Sequence, residues 1–201
     1  RGVEVLADLL RSQGTSFRHL VAVEIPERRA FMHLDTVFTI VDREACLAYP
    51  PVIQGDGPEA ASVYSVDLGS EDLTFTLRPG LLQVLAELGV ELESIPCGGP
   101  DLIDQEREQW TDGANAFAVA PGLVLFYERN RKTAEELRGR GWRVLTDAEV
   151  LDDPDPGLDG PTAITISGRE LSRARGGARC MAMPLERASL TSESSTEGAN
   201  E

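Results

Sequence analysis

Apolar residues change their spacing repeatedly along this chain, and each change predicts an element. Val3, Leu6, Leu9 and Leu10 recur at helical intervals, so residues 3–12 read as an amphipathic helix that Gly14 ends. Residues 20–25 form a buried strand, and Pro26 with Glu27-Arg28-Arg29 marks the loop after it. Residues 31–41, rich in β-branched residues and phenylalanine, read as a second strand. Residues 46–49 are its hairpin partner, closed by Pro50-Pro51, and residues 54–61 are loop. Short strands are expected at 63–66 and 73–77 around Gly69-Ser70. After Pro79-Gly80, Leu81, Leu82, Val84, Leu85 and Leu88 line one face of a helix with Gly89 as its stop. Residues 90–95 return as a strand, and Cys97-Gly98-Gly99-Pro100 is a loop.

Residues 104–115 are polar, dense in side chains that can pair, and show little apolar periodicity. Residues 116–120 and 123–127 then read as two strands around Pro121-Gly122. A short helix at 133–138, stopped by Gly139 and Gly141, leads to a strand at 142–145. An acidic, Pro/Gly-rich loop spans 152–161, and a strand at 163–166 leads towards Cys180. The Ser/Thr/Glu-rich stretch 188–201 reads as a disordered acidic tail, so one domain is expected over 1–187. The order strand–strand–helix–strand occurs over about 31–95 and again over about 115–146. A third copy begins near 163 and stops at Pro184, and residues 3–25 look like the end of an earlier one. No sequence repeat accompanies this order of elements. It predicts a modular α/β architecture instead of a parallel doubly wound sheet.

Composition narrows the partners. A net charge of −15 and a pI of about 4.5 argue against nucleic acid and anionic membranes, and suit a small cationic substrate. No apolar run approaches the ~20 residues of a membrane span. Cys46, Cys97 and Cys180 are odd in number and far apart, with no CxxC pair, which fits a reduced, intracellular protein. The chain starts at Arg1 with a helical pattern at once, and reads as a fragment of a longer protein.

Two stretches carry candidate chemistry. In Arg173-Ala174-Arg175-Gly176-Gly177-Ala178-Arg179-Cys180, a thiol follows a glycine-rich cationic turn. Positive charge there favours thiolate, and the sulfur is expected where a loop enters a strand. The bland alternative is a buried structural cysteine beside a basic surface loop. In Met32-His33-Leu34-Asp35-Thr36, strand alternation would put His33 and Asp35 on one face and Leu34 in apolar packing on the other. Such a pair suits acid/base work and cation binding, or is a polar pair on a solvated face. Metal binding is a weak reading, since no third ligand sits at useful spacing. His19 reads as a surface or structural histidine.

Together with Glu106-Arg107-Glu108-Gln109-Trp110-Thr111-Asp112-Gly113-Ala114-Asn115, Pro121-Gly122, Tyr127-Glu128-Arg129-Asn130 and Cys180-Met181-Ala182-Met183-Pro184, these stretches resemble the motifs of bacterial arginine deiminases, in order and in spacing. The resemblance runs from about Phe17 to Arg187. It implies an α/β propeller of five ββαβ-type modules, of which about two and a half to three are present. It also implies hydrolysis of L-arginine to L-citrulline and ammonia in the cytoplasm, with no metal or organic cofactor. Cys180 would be the nucleophile, His33 the proton donor and then acceptor, and Asp35 the guanidinium-binding carboxylate. Arg175 matches a loop arginine beside the site that moves on substrate binding. Further acidic residues and the grip on the substrate carboxylate come from the family's N-terminal half, which no part of this chain matches. Self-association into a homo-oligomer is compatible with this picture. Related amidinotransferases and dimethylarginine hydrolases share a Cys/His site, but the motifs at 106–115 and 175–184 favour the deiminase. A stranded half that catalyses nothing, serving only to bind a partner, is the alternative of a different class. A metal-binding module of His33, Asp35 and Cys180 is a third.

Overall fold

The computed structural model describes residues 1–153 and 155–186; the stretch 188–201, expected as a disordered tail, lies outside them. Along the chain come helix α1 (Gly2–Ser12), strands β1 (His19–Glu24), β2 (Phe38–Asp42) and β3 (Ala45–Ala48), and the single turn α2 (Pro50–Ile53). Strands β4 (Ser62–Asp67) and β5 (Thr76–Arg78), helix α3 (Leu81–Glu87) and strand β6 (Glu93–Pro96) follow. The second half runs α4 (Leu102–Trp110), β7 (Phe117–Ala120), β8 (Leu123–Tyr127), α5 (Arg131–Gly139), β9 (Arg143–Thr146), α6 (Asp147–Asp152) and β10 (Thr162–Ile166).

These strands make three sheets, and the α/β class expected from the sequence holds. β1, β4 and β5 form an antiparallel sheet. β2 pairs antiparallel with β3, which pairs parallel with β6. The third sheet has the order β7-β8-β10-β9, parallel except for β7. One expectation about modules changes here. β10 does not open a third copy; it lies between β8 and β9, with Thr162 opposite both Leu123 and Arg143. Four of its five residues are buried, as befits a strand flanked by neighbours on both edges. β1 is the edge strand of the first sheet and pairs along its whole length, from His19 to Glu24, with β4.

One apolar core joins the second and third sheets. Val41, Leu47, Ile95, Val124, Phe126 and Ala163 pack with Leu137 of α5 and with Trp142. A second core sets Phe31, Val37, Tyr49 and Val52 against Val63, Leu81 and Val84. Burying such side chains stabilises each by about 1.5–3 kcal/mol relative to leaving it in water. Helix α1 is more exposed than its pattern suggests: only Ala7 is buried, while Val3, Val5, Leu6 and Leu9 stay open to solvent.

Several element assignments shift. The second strand is shorter than the 31–41 run, because 3₁₀ turns occupy Arg29–Phe31 and Leu34–Thr36. The reason is polar. The Thr36 hydroxyl and amide both donate to the His33 carbonyl, at 2.7 and 3.1 Å. The Gln109 amide donates to the carbonyls of Ala30 and Thr36, at 2.8 and 3.3 Å. Those backbone groups are satisfied without a strand neighbour. The strand expected at 73–77 begins only at Thr76. Helix α4 lies in the stretch whose lack of apolar periodicity concealed it. Its buried face is Gln105, Glu108 and Gln109, while Leu102 and Ile103 face solvent. Asp101 caps it by accepting from the Ile103 and Asp104 amides. Helix α6 starts with a capping box between Thr146 and Glu149.

Candidate active site

The site is built outward from α4. The Glu108 carboxylate accepts hydrogen bonds from the Lys132 amide (2.7 Å), the Thr133 amide (2.8 Å) and the Thr133 hydroxyl (2.7 Å), which fixes α4 to the start of α5. The Thr133 hydroxyl also accepts from the Gly98 amide at 2.9 Å. Gly98 has φ +80°, and a Cβ there would lie 2.4 Å from the Gln105 Cα, so only glycine lets this turn touch the helix. Asn130 and Thr111 exchange two bonds, of 2.6 and 3.1 Å, where α4 ends. These contacts hold the following turn, Asp112 to Asn115, over the core.

His33, Asp35 and Cys180 meet above that turn. One donor atom from each lies within 4.8 Å of the others. The expectation that strand alternation pairs His33 with Asp35 is corrected: His33 caps the 3₁₀ turn that contains Asp35, and Leu34 is exposed instead of packed. The turn still brings both polar groups to one place. Cys180 is not at the mouth of a strand; residues 178–181 form a turn. His33 and Cys180 are exposed and Asp35 is half-buried. An imidazole, a carboxylate and a thiol at this separation also make a donor set of the type that binds a soft divalent ion, with Cys180 as the third ligand that linear spacing did not reveal.

Electrostatics differ from the expectation for a cationic loop. The Cys180 thiol is pushed up, first by burial of the sulfur among its neighbours and then by the Asp35 charge; hydrogen bonds from Gly177 and Asn115 pull it back. The arginines do not surround it. Arg173 pairs with Glu170 at 2.7 Å. Arg179 turns to Asp35, its Nε 3.5 Å from a carboxylate oxygen. The other Asp35 oxygen is buried and has no hydrogen-bond partner.

Arg175 is turned inward. Its guanidinium lies 4.7 Å from the Trp110 ring centroid and donates to the carbonyls of Trp110 and Ala30. It stands 3.9 Å from Asp112, with both side chains almost fully buried. Burial dominates both partners: it pushes the Asp112 carboxyl up and the Arg175 guanidinium down, against their mutual attraction. Neither Asp112 oxygen completes a hydrogen bond of good geometry. Both residues sit at positive φ, 63° and 64°, which costs a non-glycine residue on the order of 1–3 kcal/mol. A cleft of ≈ 1100 Å³ shares Ala30 and Trp110 with this cradle, but His33, Asp35 and Cys180 do not line it.

Sequence reasoning gave no role to Asp112, Asn115 or Tyr127. Asn115 is fully buried and bonds to both Asp35 and Cys180. The Tyr127 hydroxyl donates to the Gly176 carbonyl at 2.8 Å and so anchors the loop that bears the cysteine. For Asp112 and Asn115 the signal available was polarity near Gly113 in a stretch that lacks apolar periodicity; Tyr127, at the end of an apolar strand, gave none. His19 stays at the exposed start of β1, paired in register with Asp67 of β4.

A thiol grouped with an imidazole and a carboxylate on an α/β scaffold defines a class of cysteine-centred acid/base sites. Comparison with known proteins narrows the class. The family model for arginine deiminase matches residues 1–187. The arginine deiminase of Listeria welshimeri is 43% identical over 192 residues, which cover 94% of this chain and 42% of that protein. The arginine deiminase of Bacillus cytotoxicus is 42% identical over 189 residues, covering 93% and 42%. The chain belongs to the arginine deiminase family, and it spans about two-fifths of the length of the curated relatives it matches.

Among the described residues, no helix is long and apolar enough to cross a membrane.

Proposed function

We propose that this chain carries the nucleophile-bearing part of an arginine deiminase, which converts L-arginine and water to L-citrulline and ammonia. The convergence of His33, Asp35 and Cys180 within 4.8 Å, from segments far apart in sequence, is the observation that carries the reading. The half-buried Asp35 carboxylate, which Arg179 approaches through one oxygen, is suited to a guanidinium N–H. In the first step the Cys180 thiolate attacks the guanidinium carbon. His33 gives a proton to the departing nitrogen, ammonia leaves, and an S-alkylthiouronium remains on the sulfur. In the second step water attacks the same carbon, His33 takes its proton, and the C–S bond breaks to release citrulline and the thiolate. The raised Cys180 thiol fits a nucleophile that ionises beside a bound cation, since a guanidinium would offset the Asp35 charge. Arg179 holds Asp35 in the structure described and would yield to the substrate. Arg175 would reach the substrate only on leaving Trp110 and Asp112.

The fold reading that accompanies this function is part of a five-module α/β propeller over residues 1–187, supported by the family match. The exposed site and the two-fifths coverage of its relatives favour a second reading, in which the chain alone is catalytically incomplete. Citrulline assays on the 201-residue chain, and on the chain joined to the remainder of the Listeria welshimeri protein, separate the two. Citrulline from the joined protein only, lost with Cys180→Ala, supports an arginine deiminase site that needs completion. Citrulline from the Cys180→Ala protein would exclude the mechanism.

A further inference from the structure

Asn115 lies at 0% exposure between the two segments that carry the site. No strand joins those segments; residues 34–36 are a 3₁₀ turn and residues 178–181 another turn. The Asn115 side chain spans them. Its Nδ2 donates to the Asp35 carbonyl at 3.0 Å, and its Oδ1 accepts from the Cys180 amide at 3.2 Å. Its own carbonyl accepts from the Arg179 amide at 3.5 Å. The partners dictate this orientation. A carbonyl can only accept and a backbone amide can only donate, so the flipped carboxamide would lose both bonds. Gly177 closes the arrangement from above. A Cβ there would lie 2.4 Å from Asn115 Oδ1 and 2.7 Å from both its Cβ and its carbonyl oxygen. The loop approaches this closely only because residue 177 has no side chain.

We infer that Asn115 is a positioning residue of this site, a carboxamide clamp that sets the Cys180 sulfur against Asp35 and His33. It touches no reacting atom of the substrate in this role. It acts by fixing where the Cys180 backbone begins and which donors face the sulfur. Asn115 and Gly177 are the two groups whose hydrogen bonds favour the charged sulfur, against burial and the Asp35 carboxylate. Losing the clamp therefore makes the thiolate rarer and lets the sulfur drift from its partners. An asparagine that served only to satisfy buried backbone groups would stabilise the fold without changing the chemistry of the thiol.

The inference rests on Cys180 as the proposed nucleophile, yet its test needs neither substrate nor turnover. Cys180 is exposed, while Cys46 and Cys97 are buried, so alkylation by iodoacetamide reports on Cys180. The rate is measured against pH in the 201-residue chain and in Asn115→Ala, Asn115→Ser, Gly177→Ala and Thr146→Ala, each checked for folding by circular dichroism. Asn115→Ser stays uncharged, keeps a small polar group in the buried position, and guards against failure of the alanine variant to fold. The expected result is a pH midpoint moved up by about half a unit or more in the three clamp variants, or about three-fold slower alkylation below the midpoint. Thr146→Ala, which loosens the cap of α6 away from the site, leaves the midpoint in place. A folded Asn115 variant with the parental pH profile would overturn the inference. So would an equal shift in Thr146→Ala. A joined protein with no deiminase activity, beside the expected shifts in the 201-residue chain, would leave the clamp standing and count against the proposed reaction.

Discussion

Glu108 and Asp112 are buried acids at the two ends of one short stretch, at 7% and 1% exposure, and the fold treats them in opposite ways. Glu108 receives three short hydrogen bonds at the start of α5. Asp112 completes none of good geometry, and its neighbour Arg175 stays 3.9 Å away. The first is a settled carboxylate that ties two helices together. The second is held under strain, at positive φ, beneath the loop that carries Cys180. A buried charge with its hydrogen bonds made contributes to the fold, whereas one without them costs desolvation that attraction alone rarely offsets. The contrast marks where the scaffold ends and the site begins.

The largest effect separates the two ends outright. Cys180→Ala in the joined protein is expected to lower citrulline formation by on the order of 10³-fold or more, the loss typical of a removed nucleophile. Its thermal midpoint should hardly move, since the Cys180 side chain is exposed. His33→Ala should approach the same loss of activity. Asp35→Asn should instead raise KM for arginine by about ten-fold or more, as removing a charge-assisted hydrogen bond does.

At the scaffold end, Glu108→Gln places an NH₂ group against backbone and hydroxyl donors. Urea unfolding should show a loss of about 2 kcal/mol. Asp112→Asn, the same chemical change, should cost more, about 3 kcal/mol or above, because it leaves the buried Arg175 guanidinium without its counter-charge. Equal costs at the two positions would erase the distinction.

Alkaline titration probes the core in a third way. Burial pushes Cys46 up to about 12 and Cys97 further, both from an ordinary value of 9.0. The folded chain thus binds more protons than the unfolded chain once pH passes about 9. Stability should be fully present below that pH and fall as it rises towards 12, by about 1.4 kcal/mol per unit of pH for each thiol. Cys46→Ala should flatten the slope. The smallest effect is expected from Arg179→Ala, which frees Asp35 from a half-exposed partner and should tighten arginine binding by no more than a few-fold.

Apolar pattern made most strands and three helices legible, since each puts a continuous face on a core: Val124 and Phe126 in β8, Leu81 and Val84 in α3. It failed at α4, where Gln105, Glu108 and Gln109 take the inward positions that periodicity assigns to leucine. It failed again at residues 31–36, because side-chain amides and hydroxyls replaced the sheet bonds those residues seemed to need. Strand neighbours such as β10 between β8 and β9 depend on competition for burial among distant segments, which no local window contains. Cys180, His33 and Asp35 were legible as candidates through residue type and family motif, and the structure brings them together. The roles of Asn115 and Tyr127 were not, since a buried polar residue acquires a role only from partners such as Asp35 and Gly176.

The most direct test of the account is to trap the intermediate. The joined protein is mixed with L-arginine, quenched in acid during turnover, digested and analysed by mass spectrometry. The account predicts an adduct of arginine less ammonia on the peptide that holds Cys180, absent from Cys180→Ala and accumulating in His33→Ala only if attack on the guanidinium outlasts the loss of the second-step base. Citrulline formed at full rate with Cys180 unmodified throughout, or the adduct found on Cys46 or Cys97, would contradict it.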